Sequence, residues 1–356
     1  MSRPFLNAAR CRIKVAAYKI IRYLYGPMRA VHRARAVAND ALPRGAVIAP
    51  FQGGVGGVER AVFIVAEQLR LSGFRVDVFV QRHLPQSRYS IATSAEMSVT
   101  CVHTALDAPV LEKYSIIYVF PYVSDKIWLN PLLVTNALTI GLGGLPGDTP
   151  EVHKIVDKIH FESPASASCK FRAIIAPPDA TISRAEFIAD QETTTAIPQN
   201  QYYLTVFNPW GRVKGLDDFL AFATNFDGQI VWCHDDSSTK TLELTEDEFL
   251  YKQITHLKNV QILICPSGKQ LETLYQHCSG YVCFSKYEGY GWAIADAIRY
   301  RKPICSRRVG VLSYFNDFKE TSDFTNPIFD LVEVDIEEFF SNSKLVQLFR
   351  SARRLL

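Results

Sequence analysis

Phe284-Ser-Lys-Tyr-Glu288-Gly-Tyr-Gly291-Trp-Ala-Ile-Ala-Asp296-Ala297 is the stretch whose reading decides the fold. An apolar run at 281–285 enters a Gly-x-Gly loop, and an apolar segment with helical spacing, 292–301, leaves it. A strand that passes through a glycine loop into a helix is the building unit of a parallel α/β sheet. The N–H groups at Gly289–Gly291 are placed to meet phosphate or sugar oxygens. Glu288 precedes the glycines and Asp296 lies eight residues on. A carboxylate at each place suits the hydroxyls of a sugar or ribose. The plainer role for Asp296 is a helix residue bonded to a neighbouring loop.

The same unit recurs in both directions along the chain. Apolar runs at 46–51, 74–80, 99–104, 115–121, 137–142, 158–163 and 172–177 form one series of expected strands. A second series follows at 202–207, 229–234, 260–266, 281–285, 303–306 and 328–334. Helical spacing appears at 58–72, 216–225, 269–277 and 292–301. Strand–helix alternation predicts parallel sheets covered on both faces, and two series predict two such lobes. The polar segment 190–201, DQETTTAIPQNQ, is the expected linker. The expected organisation is a basic segment at 1–45, a first lobe at 46–195, a second lobe at 196–340 and a short basic helix at 341–356. In such doubly wound sheets the ligand cleft lies at the carboxyl ends of the strands.

Two further loops fall at such ends. Gln52-Gly-Gly-Val-Gly-Gly-Val-Glu-Arg60 follows the first strand and opens helix 58–72. Its glycines permit a tight turn and close approach of a ligand to the helix start. It lacks the third glycine of a dinucleotide fingerprint and the GK[ST] of a P-loop. Phe207-Asn-Pro-Trp-Gly-Arg212-Val-Lys214-Gly215 follows the strand at 202–207 and precedes helix 216–225. Arg212 and Lys214 put two cations where a pyrophosphate needs them. Taken singly, each loop is equally a structural or solvated turn.

The 356 residues are 48% hydrophobic and 21% charged, which excludes general disorder, collagen and coiled coil. No window of about 18 consecutive apolar residues offers a membrane span. The net charge of +3 is unevenly placed: residues 1–45 hold ten Lys/Arg and one acid, against 29 bases and 35 acids in the rest. The basic character is local, which speaks against nucleic acid as a partner. Residues 5–25 fit a helix with Leu6, Ala9, Ile13, Ala17, Ile20 and Leu24 on one face and Arg12, Lys19 and Arg22 on the other. That suits an anionic membrane surface, or equally a face packed on the protein or a partner. Eight cysteines without a CxxC pair read as reduced, buried thiols of a cytoplasmic protein, and no secretory leader is evident.

The three loops, in this order and spacing, resemble glycosyltransferase family 4 (the glycosyl transferases group 1 superfamily), whose fold is called GT-B. The matching residues are Gly56-Gly57-Val58-Glu59-Arg60, then Gly73-Phe-Arg-Val76, Lys214-Gly215, Glu288-Gly-Tyr-Gly291, Asp296, Pro303 and Gly310. The similarity covers roughly 46–315. It implies transfer of a sugar, with retention, from a nucleotide-diphosphate donor to a glycan or lipid-linked acceptor in polysaccharide or glycolipid synthesis. It implies no cofactor and no metal, since protein cations stabilise the leaving diphosphate. It places Lys214, with Arg212, on the diphosphate, Glu288 on the donor sugar and Asp296 on the ribose. Gly56, Gly57, Asn208, Ser267, Gly289, Tyr290 and Gly291 complete the expected donor site, with 265–268 beside the base. Several positions depart from the family pattern. Asp296 stands for the usual Glu, Pro209 for an arginine, and Arg301 for a glycine. The family's first-lobe histidine is missing from 120–122 and 139–144, which leaves His103, His153, His160 and His234 as alternatives. Two other readings stay open: a non-catalytic scaffold that binds a nucleotide sugar or a partner glycosyltransferase, and another enzyme on doubly wound lobes, such as an epimerase.

Overall fold

The computed structural model describes residues 42–49, 57–80, 97–101, 111, 113–120, 132, 135, 137–143, 156–167, 173–177, 201–209, 212–235, 246–335, 338–339 and 344–354. The helix expected at 5–25, the turn through Gly56, and residues 190–200 of the linker lie outside the described residues.

Twelve strands form two sheets. The first holds β1 (Arg44–Ala49), β2 (Arg75–Val80), β3 (Met97–Cys101), β4 (Ile116–Val119), β5 (Leu138–Leu142), β6 (Lys158–Phe161) and β7 (Ala173–Ile175) in the order β3-β2-β1-β4-β5-β6-β7. The second holds β8 (Tyr202–Val206), β9 (Gln229–His234), β10 (Val260–Ile264), β11 (Gly280–Cys283) and β12 (Ile304–Ser306) in the order β10-β9-β8-β11-β12. Every paired strand is parallel. The described helices are α1 (Gly57–Leu71), α2 (Leu216–Asn225), α3 (Glu246–Thr255), α4 (Gly268–His277), α5 (Trp292–Arg299) and α6 (Lys344–Arg354).

Strands buried on both faces have no need to alternate in polarity, and β1 does not. In β1, Val47 and Ala49 join one core cluster with Tyr118 and Phe120, while Ala46 and Ile48 join another with Ile117 and Val119. The first of these clusters continues into the second lobe through Tyr290, Trp292 and Ile294, so the two lobes share apolar contact. In the second lobe, Phe219 of α2 stacks on Phe284 at 4.9 Å and meets Trp232 edge-on at 5.0 Å. These rings fix the start of α2 against the ends of β9 and β11. α6 returns to the first lobe, packing on α1 and β7 with Leu345 and Phe349 fully buried.

Two elements differ from expectation. The strand expected at 328–334 is a single antiparallel rung, Ile304 to Asp330, closed by hydrogen bonds of 2.7 and 3.0 Å. β12 offers only three residues at the sheet edge, so no longer ladder forms. α3 was not evident in the sequence because it shows solvent so much of its surface: Phe249 is 65% exposed and Ile254 is its fully buried anchor. The cysteines at 233, 265, 278, 283 and 305 are buried thiols, with Cys278 and Cys305 both pushed up to about 11 by burial, which keeps these two protonated and inert.

Arg301, where the resembled family carries glycine, has φ +51°. A left-handed backbone strains an L-residue by ~1–2 kcal/mol. Glycine would remove that strain and add ~0.4–1 kcal/mol of unfolded-chain entropy. Arg301→Gly is therefore expected to raise stability by up to ~1 kcal/mol in urea unfolding; a loss of stability would show that the arginine side chain contributes more than its backbone costs.

Candidate functional site

β8 and β11 are neighbours at the point where the second sheet's order reverses, so the loops leaving their carboxyl ends lie side by side. The first loop ends in a 3-10 turn, Arg212–Lys214, before Gly215 starts α2. The Lys286 N–H donates to the Val213 carbonyl at 2.7 Å, joining the two loops. Gly215 has φ +70°, and a Cβ there would lie 2.3 Å from the Phe284 carbonyl oxygen. Only glycine allows this approach.

The approach brings the expected pair together. Lys214 Nζ donates to Glu288 Oε1 at 2.6 Å, and Ser285 Oγ donates to the same oxygen at 2.6 Å. Both side chains remain partly exposed, Lys214 at 32% and Glu288 at 18%. A cation and a hydrogen-bonded carboxylate thus stand together at the mouth of the second sheet. Arg212 lies in the same turn, two residues before the lysine.

Other expected donor ligands have different partners. The Asn208 amide donates to the Asp235 carboxylate at 2.9 Å and accepts from the Asp235 N–H at 3.1 Å, which clasps the ends of β8 and β9. Ser267 caps α4, accepting from Gln270 N–H at 3.2 Å. The Tyr290 ring is 2% exposed and lies edge-on to Trp292 at 4.7 Å. It is packed inward rather than turned toward a ligand.

Asp296 departs most from its expected place. Arg60 of α1 donates to both of its oxygens, at 2.8 and 2.8 Å, across 236 residues of sequence. Their side chains are 2% and 4% exposed. Arg60 also reaches the Trp292 carbonyl at 3.5 Å, and its guanidinium sits 4.8 Å from the centre of the Trp292 indole. Gly57 lets this happen: a Cβ there would lie 2.9 Å from Trp292 Cδ1. The resemblance put Asp296 at a ribose; in the structure its carboxylate is a bridge to the first lobe. Arg60 stood inside the quoted motif, but nothing in its spacing paired it with Asp296.

The first-lobe wall of the cleft is the segment after β6. Ser163 Oγ donates to the Gly289 carbonyl at 2.5 Å, the Ala165 N–H to Ser313 Oγ at 3.2 Å, and the Tyr314 hydroxyl to the Glu162 carbonyl at 3.3 Å. The Glu162 carboxyl lies beside Gly289 and is pushed up to about 8 by burial. Neither Glu162 nor Ser163 was evident as a site residue from sequence. Of the alternative histidines, His160 is fully buried in the first sheet. Its Nε2–H donates to the Ala176 carbonyl at 2.9 Å, so its Nδ1 accepts from the Tyr118 hydroxyl at 2.6 Å. Burial pushes it down to about 4, so it is neutral and structural. His234 is held by the Asp235 carbonyl at 2.8 Å and Tyr251 at 3.3 Å. His103 and His153 lie outside the described residues. Among the described residues no group of three or more His, Cys, Asp or Glu is placed to hold a metal ion, and no helix is long and apolar enough to cross a membrane.

Two predictions follow from this geometry. Removing one partner of the buried pair, by Arg60→Ala or Asp296→Ala, leaves an uncompensated charge and should cost ~3–5 kcal/mol in urea unfolding. Arg60→Met with Asp296→Leu should cost much less than either single change; equal losses would show that the charges are not the reason. For Glu162, burial raises the folded value from 4.5 to about 8. The stability held by the neutral form is complete below pH 4.5 and is lost as the pH rises to about 8. Glu162→Gln should therefore match the wild type near pH 4.5 and exceed it at pH 8, by a few kcal/mol at most. A constant difference between the two proteins across that window would refute the assignment.

No family model matches the chain, and no curated protein matches it in sequence. Solved structures do match. Sucrose-phosphate synthase from Thermosynechococcus elongatus superposes with a TM-score of 0.58 at 14% identity, over 88% of this chain and 94% of that one. HepE from Anabaena, solved with UDP and glucose, gives 0.55 at 11% identity over 87% and 94%. A glycosyltransferase from Rickettsia africae gives 0.53 at 12% identity over 88% and 93%. Likeness at such low identity speaks of architecture, and with the two parallel switch-point sheets it leads to one conclusion: the chain has the GT-B fold of these glycosyltransferases.

Proposed function

We propose that this chain is a glycosyltransferase that moves a sugar from a nucleotide-diphosphate donor to a glycan or lipid-linked acceptor, with retention and with protein cations rather than a metal meeting the diphosphate. The observation that carries this reading is the Lys214–Glu288–Ser285 cluster at the switch point of the second sheet. Loss of a nucleoside diphosphate develops negative charge, and a cation already fixed at that place stabilises it without reorganisation. Lys214, now paired with Glu288, would turn to the phosphates as the donor enters. Glu288, still held by Ser285, would then accept from sugar hydroxyls. The N-terminus of α2 lies directly after Lys214 and adds its helix dipole.

The base is tested first. Because HepE is solved with UDP-glucose, UDP leads a calorimetric screen that also includes GDP, ADP, CMP and dTDP. One of these is expected to bind wild type, and Lys214→Ala should weaken it roughly tenfold to a hundredfold, the value of a charge-assisted hydrogen bond. Unchanged affinity in the variant would remove Lys214 from the diphosphate.

The acceptor reading includes peripheral binding to the inner face of a membrane through residues 5–25, supported by their basic and apolar faces. Deleting residues 1–30 should release the protein from anionic vesicles while leaving transfer to a soluble acceptor intact. A truncated protein that still sediments with the vesicles would assign that segment another role.

A further inference from the structure

Glu162 is an ionisable group at the contact between the lobes that no step above uses. It follows β6, on the first-lobe wall, and its backbone is tied into the lobe contact by Tyr314. Its neighbour Ser163 is bonded to Gly289 of the opposite lobe, so the chain there is fixed on both sides. Among the described residues, no hydrogen bond reaches the Glu162 carboxyl. A Cβ built on Gly289 would find one described atom within 4 Å, Glu162 Oε2 at 3.9 Å. Among the described residues the space over Gly289 is open, with Glu162 at its edge. Gly289 follows Glu288, the residue read above as facing the donor sugar.

We infer that the Glu162 carboxyl hydrogen-bonds a hydroxyl of the transferred sugar, reaching it from the first-lobe side of the space over Gly289. The inference rests on the proposed glycosyl transfer and adds a substrate-contacting residue to it. At neutral pH burial keeps the carboxyl largely protonated, so it offers an O–H donor as well as an acceptor. The groups facing it agree. Tyr118 on β4 and Tyr314 on the 310–314 turn are both held as neutral phenols, and His160 on β6 is neutral. Across Gly289, Glu288 is balanced by Lys214. None of these supplies a cation to Glu162. Ionisation would remove its proton and leave it an acceptor only. The two lobes would then present complementary groups to one sugar: an acceptor, Glu288, from the second and a donor, Glu162, from the first.

The test uses the full chain and compares nucleotide with nucleotide sugar: UDP against UDP-glucose, and GDP against GDP-mannose, by titration calorimetry. Wild type should bind the sugar-bearing partner of one pair more tightly than the bare nucleotide. Glu162→Ala should lose about tenfold of that difference with the bare nucleotide unaffected, and Glu162→Gln, which keeps an N–H donor, should retain most of it. In wild type the difference should shrink above about pH 8, and in Glu162→Gln it should stay level. A difference unchanged in Glu162→Ala, a loss shared equally by the bare nucleotide, or an alkaline fall that persists in Glu162→Gln would each overturn the inference while leaving glycosyl transfer standing. Failure of wild type to bind either nucleotide or nucleotide sugar would instead count against the donor reading, and this inference would fall with it.

Discussion

The bridge between Arg60 and Asp296 is the constraint on which the cleft depends. It joins the first helix of one lobe to the helix that follows the Gly-x-Gly loop of the other, through two hydrogen bonds of 2.8 Å between nearly unexposed side chains. Such a pair is weak evidence for stability, because removing both charges from water costs as much as their attraction returns. Its value is in placement. A planar guanidinium that binds a carboxylate through two nitrogens, and lies against an indole, accepts few alternatives. That geometry fixes α1 against α5, and the bonds of Ser163 to Gly289 and of Ala165 to Ser313 join the same two lobes beside it. The shorter acid at 296 thus ties the lobes together where a ribose ligand was expected.

Much of the architecture was legible because parallel sheets advertise themselves. Their strands are short apolar runs without alternation, and the loops that matter follow those runs. α2, 216–225 in both readings, shows how well a fully one-sided helix is marked by Leu216, Phe219, Phe222 and Ala223. α3 was lost for the opposite reason, since most of its residues face water. The 328–334 segment has strand-like residues but no partner strand long enough to pair with, and pairing is a property of the neighbour rather than of the segment.

The site divides along the same line. Lys214 and Glu288 were legible because each sits in a loop whose glycines have a purpose visible in the chain itself. What joins them is the adjacency of β8 and β11, which only strand order supplies. Asn208 and Ser267 sit in the expected loops, yet their side chains satisfy backbone and strand-end groups that any such loop must satisfy. Glu162 carries no motif. One carboxylate after a strand is an ordinary surface residue in the sequence, and nothing there shows that it lies beside Gly289, 127 positions on, or that desolvation pushes it up to about 8.

Three carboxyl groups line the lobe contact, and each is neutralised differently. Asp296 is buried against a guanidinium, Glu288 is partly exposed against an ammonium, and Glu162, also partly exposed, is pushed up to about 8 by desolvation. Environments that separate otherwise equivalent acids in this way assign them separate work. The fully buried pair has no reason to open when a ligand arrives, so its work is structural. The half-open pair has a cation that a diphosphate can draw away, because two phosphate charges attract Lys214 more strongly than one carboxylate does. Lys214 and Ser285 both hold the same Glu288 oxygen, Oε1, so an anion that drew the lysine away would leave that carboxylate still held by Ser285.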